Sequence, residues 1–179
     1  MRVPFPAVLI AAALLTGCGD KGEPVMPEVG ANLAAPVDAG VVQPSAEETA
    51  KLLASLPAPY NTANLANGQR QSALCRACHT FTEGGPDLTG PNLHGVFQRK
   101  SGAKPGFAYS EVIKNAAFAW DAEHLDQWLA NPQTYMPGTK MTFLGLKKPE
   151  DRRDLIAFLK VQTGYDPSKE APAAAPAAK

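Results

Sequence analysis

One short motif, Cys75-Arg76-Ala77-Cys78-His79, strongly limits what this 179-residue chain can fold into. Two thiols three positions apart lie on one side of a helical turn, so both can bond to a single flat partner. His79 follows directly and can offer an imidazole to a metal ion held by that partner. The whole chain contains three cysteines and three histidines, so chance does not readily produce such a cluster.

Cys-x-x-Cys-His is the attachment pattern of c-type haem, whose two vinyl groups take up the two thiols while the histidine faces the iron. Three other interpretations fit less well. A thioredoxin-like redox pair requires a βαβ context, which the sequence does not predict here. A zinc site requires further ligands at suitable spacing, and only the singly placed His94 and His124 remain. A disulfide between Cys75 and Cys78 would have to close a very short loop. We therefore predict one covalent haem c on Cys75 and Cys78, with His79 as an iron ligand.

A second axial ligand would close the iron to oxygen or peroxide, and two methionines are candidates for it. Met136 and Met141 flank Pro137-Gly138, a turn signal that can reverse the chain and present a sulfur across the porphyrin from His79. Thioether sulfur is a soft ligand suited to iron, and Met/His ligation raises the reduction potential. The residues alone leave both methionines open.

Several segments, in a fixed order from roughly Ala66 to Gly164, resemble the class I cytochromes c, specifically the long-loop type of mitochondria and bacteria. They are Gly90-Pro-Asn-Leu-His-Gly95, Arg99-Lys-Ser-Gly102, Pro105-Gly-Phe-Ala-Tyr109, Trp120, Pro137-Gly-Thr-Lys-Met141 and Asp154-Leu-Ile-Ala-Phe-Leu159. The resemblance implies an all-α class I cytochrome c fold, a small helical domain wrapped around one covalent haem c. It also implies that Met141, which ends the family's Pro-Gly-Thr-Lys-Met run, is the axial ligand, and that Met136 is a packing or surface residue.

The resemblance assigns cofactor-binding roles on the histidine side. It implies that the carbonyl of Pro91 accepts a hydrogen bond from the second ring nitrogen of His79, which fixes the ring. It further implies that Arg99, Tyr109 and Trp120 contact the haem propionates, which are charged groups in an apolar pocket and need donors.

On the methionine side the resemblance implies a hydroxyl of Thr139 near the sulfur and a propionate, and an aromatic ring of Phe143 beside the exposed haem edge. Two positions depart from the family. Trp128 stands where a tyrosine often lies near the sulfur, and Ile113 stands where an asparagine often lies near a propionate. We therefore expect fewer polar groups around the methionine.

Local signals predict helices and no strand. The capping box Ser45-Ala-Glu-Glu48 predicts a short helix within residues 45–56, which either docks a partner or lies on the domain or frays. Further helices are predicted over 67–74, from a Ser110 cap to about Ala117, from an Asp121 cap to Asn131-Pro132, and from Pro149 to a stop at Gly164.

The N-terminus has the pattern of an export signal. Arg2 precedes nine apolar residues, Ala7 to Leu15, whereas a bilayer span requires roughly 20. Leu15-Thr16-Gly17-Cys18 resembles the bacterial lipobox, which implies cleavage before Cys18 and its acylation; ordinary cleavage and release is the alternative. We predict a signal peptide over 1–17, a Pro/Ala-rich tether over 18–59, a cytochrome c domain over 60–165 and a disordered tail over 166–179.

These features predict an electron carrier rather than an enzyme, because six-coordinate iron leaves no site for substrate. We expect a monomeric, lipid-anchored shuttle on the periplasmic side of a bacterial membrane, and we expect this membrane to be the inner one. It would link a quinol–cytochrome c reductase to a terminal oxidase. The alternatives are a subunit fixed in an oxidase or dehydrogenase complex and a peroxidase-like or ligand-sensing haem protein.

The charge balance bears on the partners. The chain has 17 Lys and Arg residues and 17 Asp and Glu residues. Because the charges balance, the net charge gives no reason to expect a nucleic-acid partner. A ring of cations around the haem edge is expected to dock redox proteins, with modest steering by charge. Its predicted members are Arg76, Lys104, Lys140, Lys147 and Lys148.

Overall fold

The computed structural model describes residues 44–97 and 99–169. The predicted signal peptide, the predicted lipidation site Cys18, the predicted tether as far as residue 43 and the predicted tail from residue 170 lie outside the described residues. Within them the α-helices are α1 Ala46–Ser55, α2 Leu65–Arg76, α3 Glu111–Lys114, α4 Ala122–Ala130, α5 Pro132–Tyr135 and α6 Pro149–Gln162. Short 3-10 helices cover Tyr60–Thr62 and Pro167–Lys169.

The all-α class predicted from the sequence is confirmed. Over the two described ranges, extended pairing is limited to one isolated antiparallel bridge between Lys100 and Ala119. None of the helices described there is both long enough and apolar enough to cross a membrane.

The helix before the family-like segment lies on the domain. The capping box is present: the Ser45 backbone N–H donates to Glu48 Oε2 at 2.7 Å, and Glu48 N–H donates to Ser45 Oγ at 3.2 Å. Helix α1 contacts α6, Leu53 packs against the core, and Leu56 just beyond the helix is 3% exposed. Of the alternatives for this segment, the structure therefore shows a helix lying on the domain.

Helices α2 and α6 cross closely at Gly68. A Cβ at this position would overlap the carbonyl oxygen of Asp154 and lie 2.6 Å from Cβ of Phe158, so only glycine allows the approach. The Asp154 carboxylate also accepts hydrogen bonds from the Asn64 backbone N–H at 3.1 Å and from Asn67 Nδ2 at 2.9 Å. The start of α2 is thereby fixed to the middle of α6.

Helix α3 differs from the sequence prediction in its end and its cap. It stops at Lys114 rather than near Ala117, and the Ser110 side chain makes no capping hydrogen bond. The chain beyond α3 leaves the helical path because the Phe118 carbonyl accepts a hydrogen bond from the Ser101 N–H at 2.9 Å.

Helix α4 begins as predicted, but the sequence did not predict the short helix α5 directly after it. The Asp121 carboxylate accepts the His124 N–H at 2.7 Å, and α4 ends at Ala130. Asn131 then caps α5 by accepting the Thr134 N–H at 3.2 Å. A proline is compatible with the first position of a helix, so Asn131-Pro132 both ends one helix and begins another.

Candidate functional site

Both motif thiols come from the turn that ends α2. The N–H groups of Cys78 and His79 both donate to the carbonyl of Cys75, at 3.0 and 2.9 Å, which winds the chain tightly past the helix end. Cys75 packs against the core and Cys78 is exposed. Burial raises the pKa of the Cys75 thiol to about 11, so this thiol is neutral at physiological pH.

The imidazole of His79 is held on two sides. Its Nδ1 lies 2.6 Å from the carbonyl oxygen of Pro91, the contact expected from the sequence. Burial lowers the pKa of His79, and the bond to Pro91 opposes this. A Cβ at Gly90 would overlap the imidazole, so the backbone there lies directly against the ring. A neutral ring that donates from Nδ1 leaves the Nε2 lone pair for a metal ion.

The methionine segment after α5 is braced by short polar contacts. The Met141 N–H donates to Thr139 Oγ1 at 3.3 Å, and Thr139 is buried. Met136 is buried in the core and Met141 is half-buried against it. The burial of Met136 is compatible with the packing role that the family resemblance implies for it.

The predicted apolar site residues meet in one hydrophobic cluster. Trp120 and Trp128 are buried within it, with ring centroids 5.4 Å apart in an edge-to-face arrangement. The remaining predicted residues packed against the same cluster are Cys75, Tyr109, Met141 and Phe143. Thiol, thioether and aromatic side chains from distant parts of the sequence thus line one apolar region.

Arg99 and Tyr109 form a polar edge beside this region. Arg99 donates to the carbonyl oxygens of His94 at 3.0 Å and Asn92 at 3.2 Å. Burial lowers the pKa of the Arg99 guanidinium, and the charge interaction with Tyr109 opposes this shift. Burial raises the pKa of the Tyr109 hydroxyl, and the charge of Arg99 opposes that shift. The guanidinium is fixed by backbone acceptors in a place where an anion would relieve its desolvation.

Ser110 is a further candidate site residue, which sequence reasoning assigned only to helix capping. Its Oγ is buried and has no hydrogen-bond partner among the described protein atoms. Buried hydroxyls are nearly always satisfied, so this one points to an acceptor or donor that the chain does not supply. A haem propionate is a candidate for this partner, because Ser110 directly follows Tyr109, for which the family resemblance implies a propionate contact. Its place beside the Pro105–Tyr109 motif was the available signal.

The cations predicted to ring the haem edge are partly engaged within the chain. The Arg76 guanidinium lies 4.7 Å from the Phe81 ring centroid, and Lys104 pairs with Asp87 at 2.8 Å. Lys140 and Lys147 donate to backbone carbonyls at 3.4 and 3.2 Å.

Among the residues with described side chains, no three His, Cys, Asp or Glu groups are arranged to hold a metal ion.

Comparisons with known proteins agree with this geometry. The family model described as Cytochrome c matches residues 65–163. Cytochrome c of Guizotia abyssinica is 52% identical over 89 residues, which are 50% of this chain and 80% of the relative. Cytochrome c of Chlamydomonas reinhardtii is 50% identical over 101 residues, 56% of this chain and 90% of the relative. Cytochrome cH from Methylobacterium extorquens superimposes with a TM-score of 0.51 at 40% identity, covering 55% of this chain and 98% of that one.

Proposed function

The chain belongs to the cytochrome c family, an electron carrier family with covalently bound haem c, and on this premise we propose that it is a membrane-tethered shuttle of single electrons in a respiratory chain. The observation that carries the proposal is the turn of Cys75, Cys78 and His79, with the imidazole fixed by the Pro91 carbonyl 2.6 Å away. Cys75 of this turn and Met141 both pack against one apolar cluster.

When bound, haem c supplies a one-electron iron couple. Cys75 and Cys78 would hold the group covalently, and His79 and Met141 would supply a nitrogen and a sulfur ligand to its iron. Trp120 and Trp128 exclude water from the apolar side. A second strong ligand on the iron would leave no free coordination site for a substrate, so the protein would transfer electrons instead.

We propose polar contacts to the haem propionates as well. In this proposal Arg99, Tyr109 and Ser110 would stabilise the propionates, and burial already lowers the pKa of the Arg99 guanidinium. Thr139 lies beside the methionine backbone. These groups would hold the buried charges of the haem and thereby tune its potential.

The partner surface that we propose surrounds Phe143 and Leu144. Leu144 is 85% exposed, and the neighbouring Lys147 donates to its carbonyl. Because Arg76 and Lys104 are engaged within the chain, charge steering toward a partner should be modest. A lipid on Cys18 would compensate by holding carrier and partners at one surface and raising their effective concentration.

The proposed electron donor is a quinol–cytochrome c reductase and the acceptor a terminal oxidase, on the periplasmic side of a bacterial inner membrane. Replacing Cys18 by Ser tests the anchor: the haem protein should move from the membrane to the soluble fraction, and quinol-to-oxidase electron flow should fall. Unchanged flow after complete deletion of the gene would reject this role. Co-migration with a large complex on a native gel would instead favour a fixed subunit.

A further inference from the structure

Gln133 bridges two points of the methionine segment. Its Nε2 donates to the carbonyl oxygen of Met141 at 2.7 Å and to that of Thr139 at 3.1 Å. Both partners are carbonyl oxygens, so only the nitrogen of the side-chain amide can satisfy them. One side chain thus fixes the backbone at Met141 itself and two residues before it.

The base from which Gln133 reaches is rigid. It lies in α5, where Asn131 caps the helix and Pro132 is fully buried. The segment that it holds is more open, since Pro137 and Gly138 are exposed and Met141 is only half-buried. Gln133 therefore links an anchored helix to a loop that has less packing of its own.

We propose that Gln133 is a positioning residue for the sixth iron ligand. By holding the carbonyls of Thr139 and Met141, it keeps the Met141 sulfur directed toward the iron and resists its dissociation. This inference rests on the proposed function, in which Met141 is an axial ligand. Neither the cysteine motif nor the Pro-Gly-Thr-Lys-Met run includes Gln133, and by exposure alone it is an ordinary surface glutamine.

The variant Gln133→Glu removes the donor while keeping the shape, and it turns a carboxylate toward two carbonyl oxygens. Gln133→Arg restores donors on a side chain that does not bind iron, because guanidinium stays protonated. Gln69→Glu, at an exposed position on α2, introduces the same charge away from the loop and serves as the matched control.

The experiment measures three properties of the holoprotein: the weak far-red band of sulfur-ligated ferric haem, the midpoint potential, and the affinity for added imidazole, which must displace the sulfur. For Gln133→Glu we expect imidazole to bind about tenfold more tightly. This factor corresponds to the stabilisation of the sulfur-bound state that is lost with one or two neutral hydrogen bonds. The band should weaken and the potential should fall, since Met/His ligation raises it. Gln133→Arg and Gln69→Glu should resemble the wild type.

Two outcomes would overturn the proposal, and they are distinguishable. If the wild type shows the far-red band and Gln133→Glu binds imidazole with wild-type affinity, the role of Gln133 is wrong while Met141 remains the ligand. If the wild type lacks the band and Met141→Ala leaves the visible spectrum unchanged, the axial assignment fails and the role of Gln133 fails with it.

Discussion

The Nδ1 atom of His79 lies 2.6 Å from the carbonyl oxygen of Pro91, and this pair orients the site. The donor in this bond must be the ring nitrogen, because a carbonyl oxygen can only accept. The bond therefore fixes the tautomer and leaves the Nε2 lone pair for a metal ion. The same arrangement raises the basicity of an imidazole ligand.

Gly90→Ala should disturb this orientation. The added methyl would overlap the imidazole of His79, and overpacking of this kind costs about 1–3 kcal/mol. We expect a lower yield of haem-bearing protein, a lower free energy of unfolding and an altered visible spectrum, measured on purified holoprotein.

Gly106→Ala is the control for Gly90→Ala. Gly106 has a φ of +79°, and an added Cβ meets nothing within 4 Å, so only backbone strain of about 1 kcal/mol is introduced. Its visible spectrum should match the wild type. Equal spectral changes in both variants would contradict steric control of His79 by Gly90.

Ser110→Ala should change the reduction potential. If the buried Oγ bonds to a propionate, its loss removes a hydrogen bond to a charged group and destabilises the holoprotein by about 2 kcal/mol. Ser101→Ala is the matched comparison, because Ser101 Oγ donates to the Ile113 carbonyl at 2.9 Å instead. That variant should lose about 1 kcal/mol with its potential unchanged. A potential that is unaffected by Ser110→Ala would argue against a propionate contact.

Acid should weaken the junction of α2 and α6 through Asp154. Burial raises the pKa of this carboxyl, but hydrogen bonds from Asn67, Arg153 and the Asn64 backbone outweigh it and hold the pKa below its usual value. Because the folded-state pKa is the lower one, the stabilisation is complete above the unfolded pKa of about 3.9 and is lost as pH falls through the folded value.

The measurement is the free energy of unfolding against pH for the wild type and Asp154→Asn. The difference between them should be about 1–3 kcal/mol at neutral pH and should shrink below about pH 4. Glu83→Gln, which removes an exposed carboxylate, should give little difference at any pH. A gap for Asp154→Asn that stays constant down to about pH 2 would rule out the linkage.

The segment before the family-like region should contribute to stability. Leu56 is 3% exposed, and Leu56→Ala should cost about 2–4 kcal/mol through lost burial and the resulting cavity. Leu74→Ala, at a position 57% exposed, should change stability by less than about 0.5 kcal/mol. A loss for Leu56→Ala as small as that for Leu74→Ala in chemical denaturation would show that the segment around Leu56 is not packed into the folded unit.

The sequence was most informative where one residue type is chemically required. The spacing of Cys75, Cys78 and His79, the cap at Asp121 and the glycine stop after α6 are local signals, and the structure contains each of these elements. Gly164 indeed has a φ of +71°, which favours glycine.

Features that depend on distant contacts were missed. The early end of α3 results from the bond between Ser101 and Phe118, 17 positions apart along the chain. Likewise, the partial engagement of the predicted cation ring includes the pairing of Lys104 with Asp87, which are also 17 positions apart. Neither arrangement has a periodic or local signature.

The central claim is that Cys75 and Cys78 bind one haem c through thioether bonds. Intact-mass spectrometry of denatured, purified protein tests it most directly, with the double variant Cys75→Ser/Cys78→Ser as the reference. We predict that the wild-type polypeptide retains the mass of one haem after denaturation and that the double variant retains none. A wild-type polypeptide with no added haem mass would contradict the account.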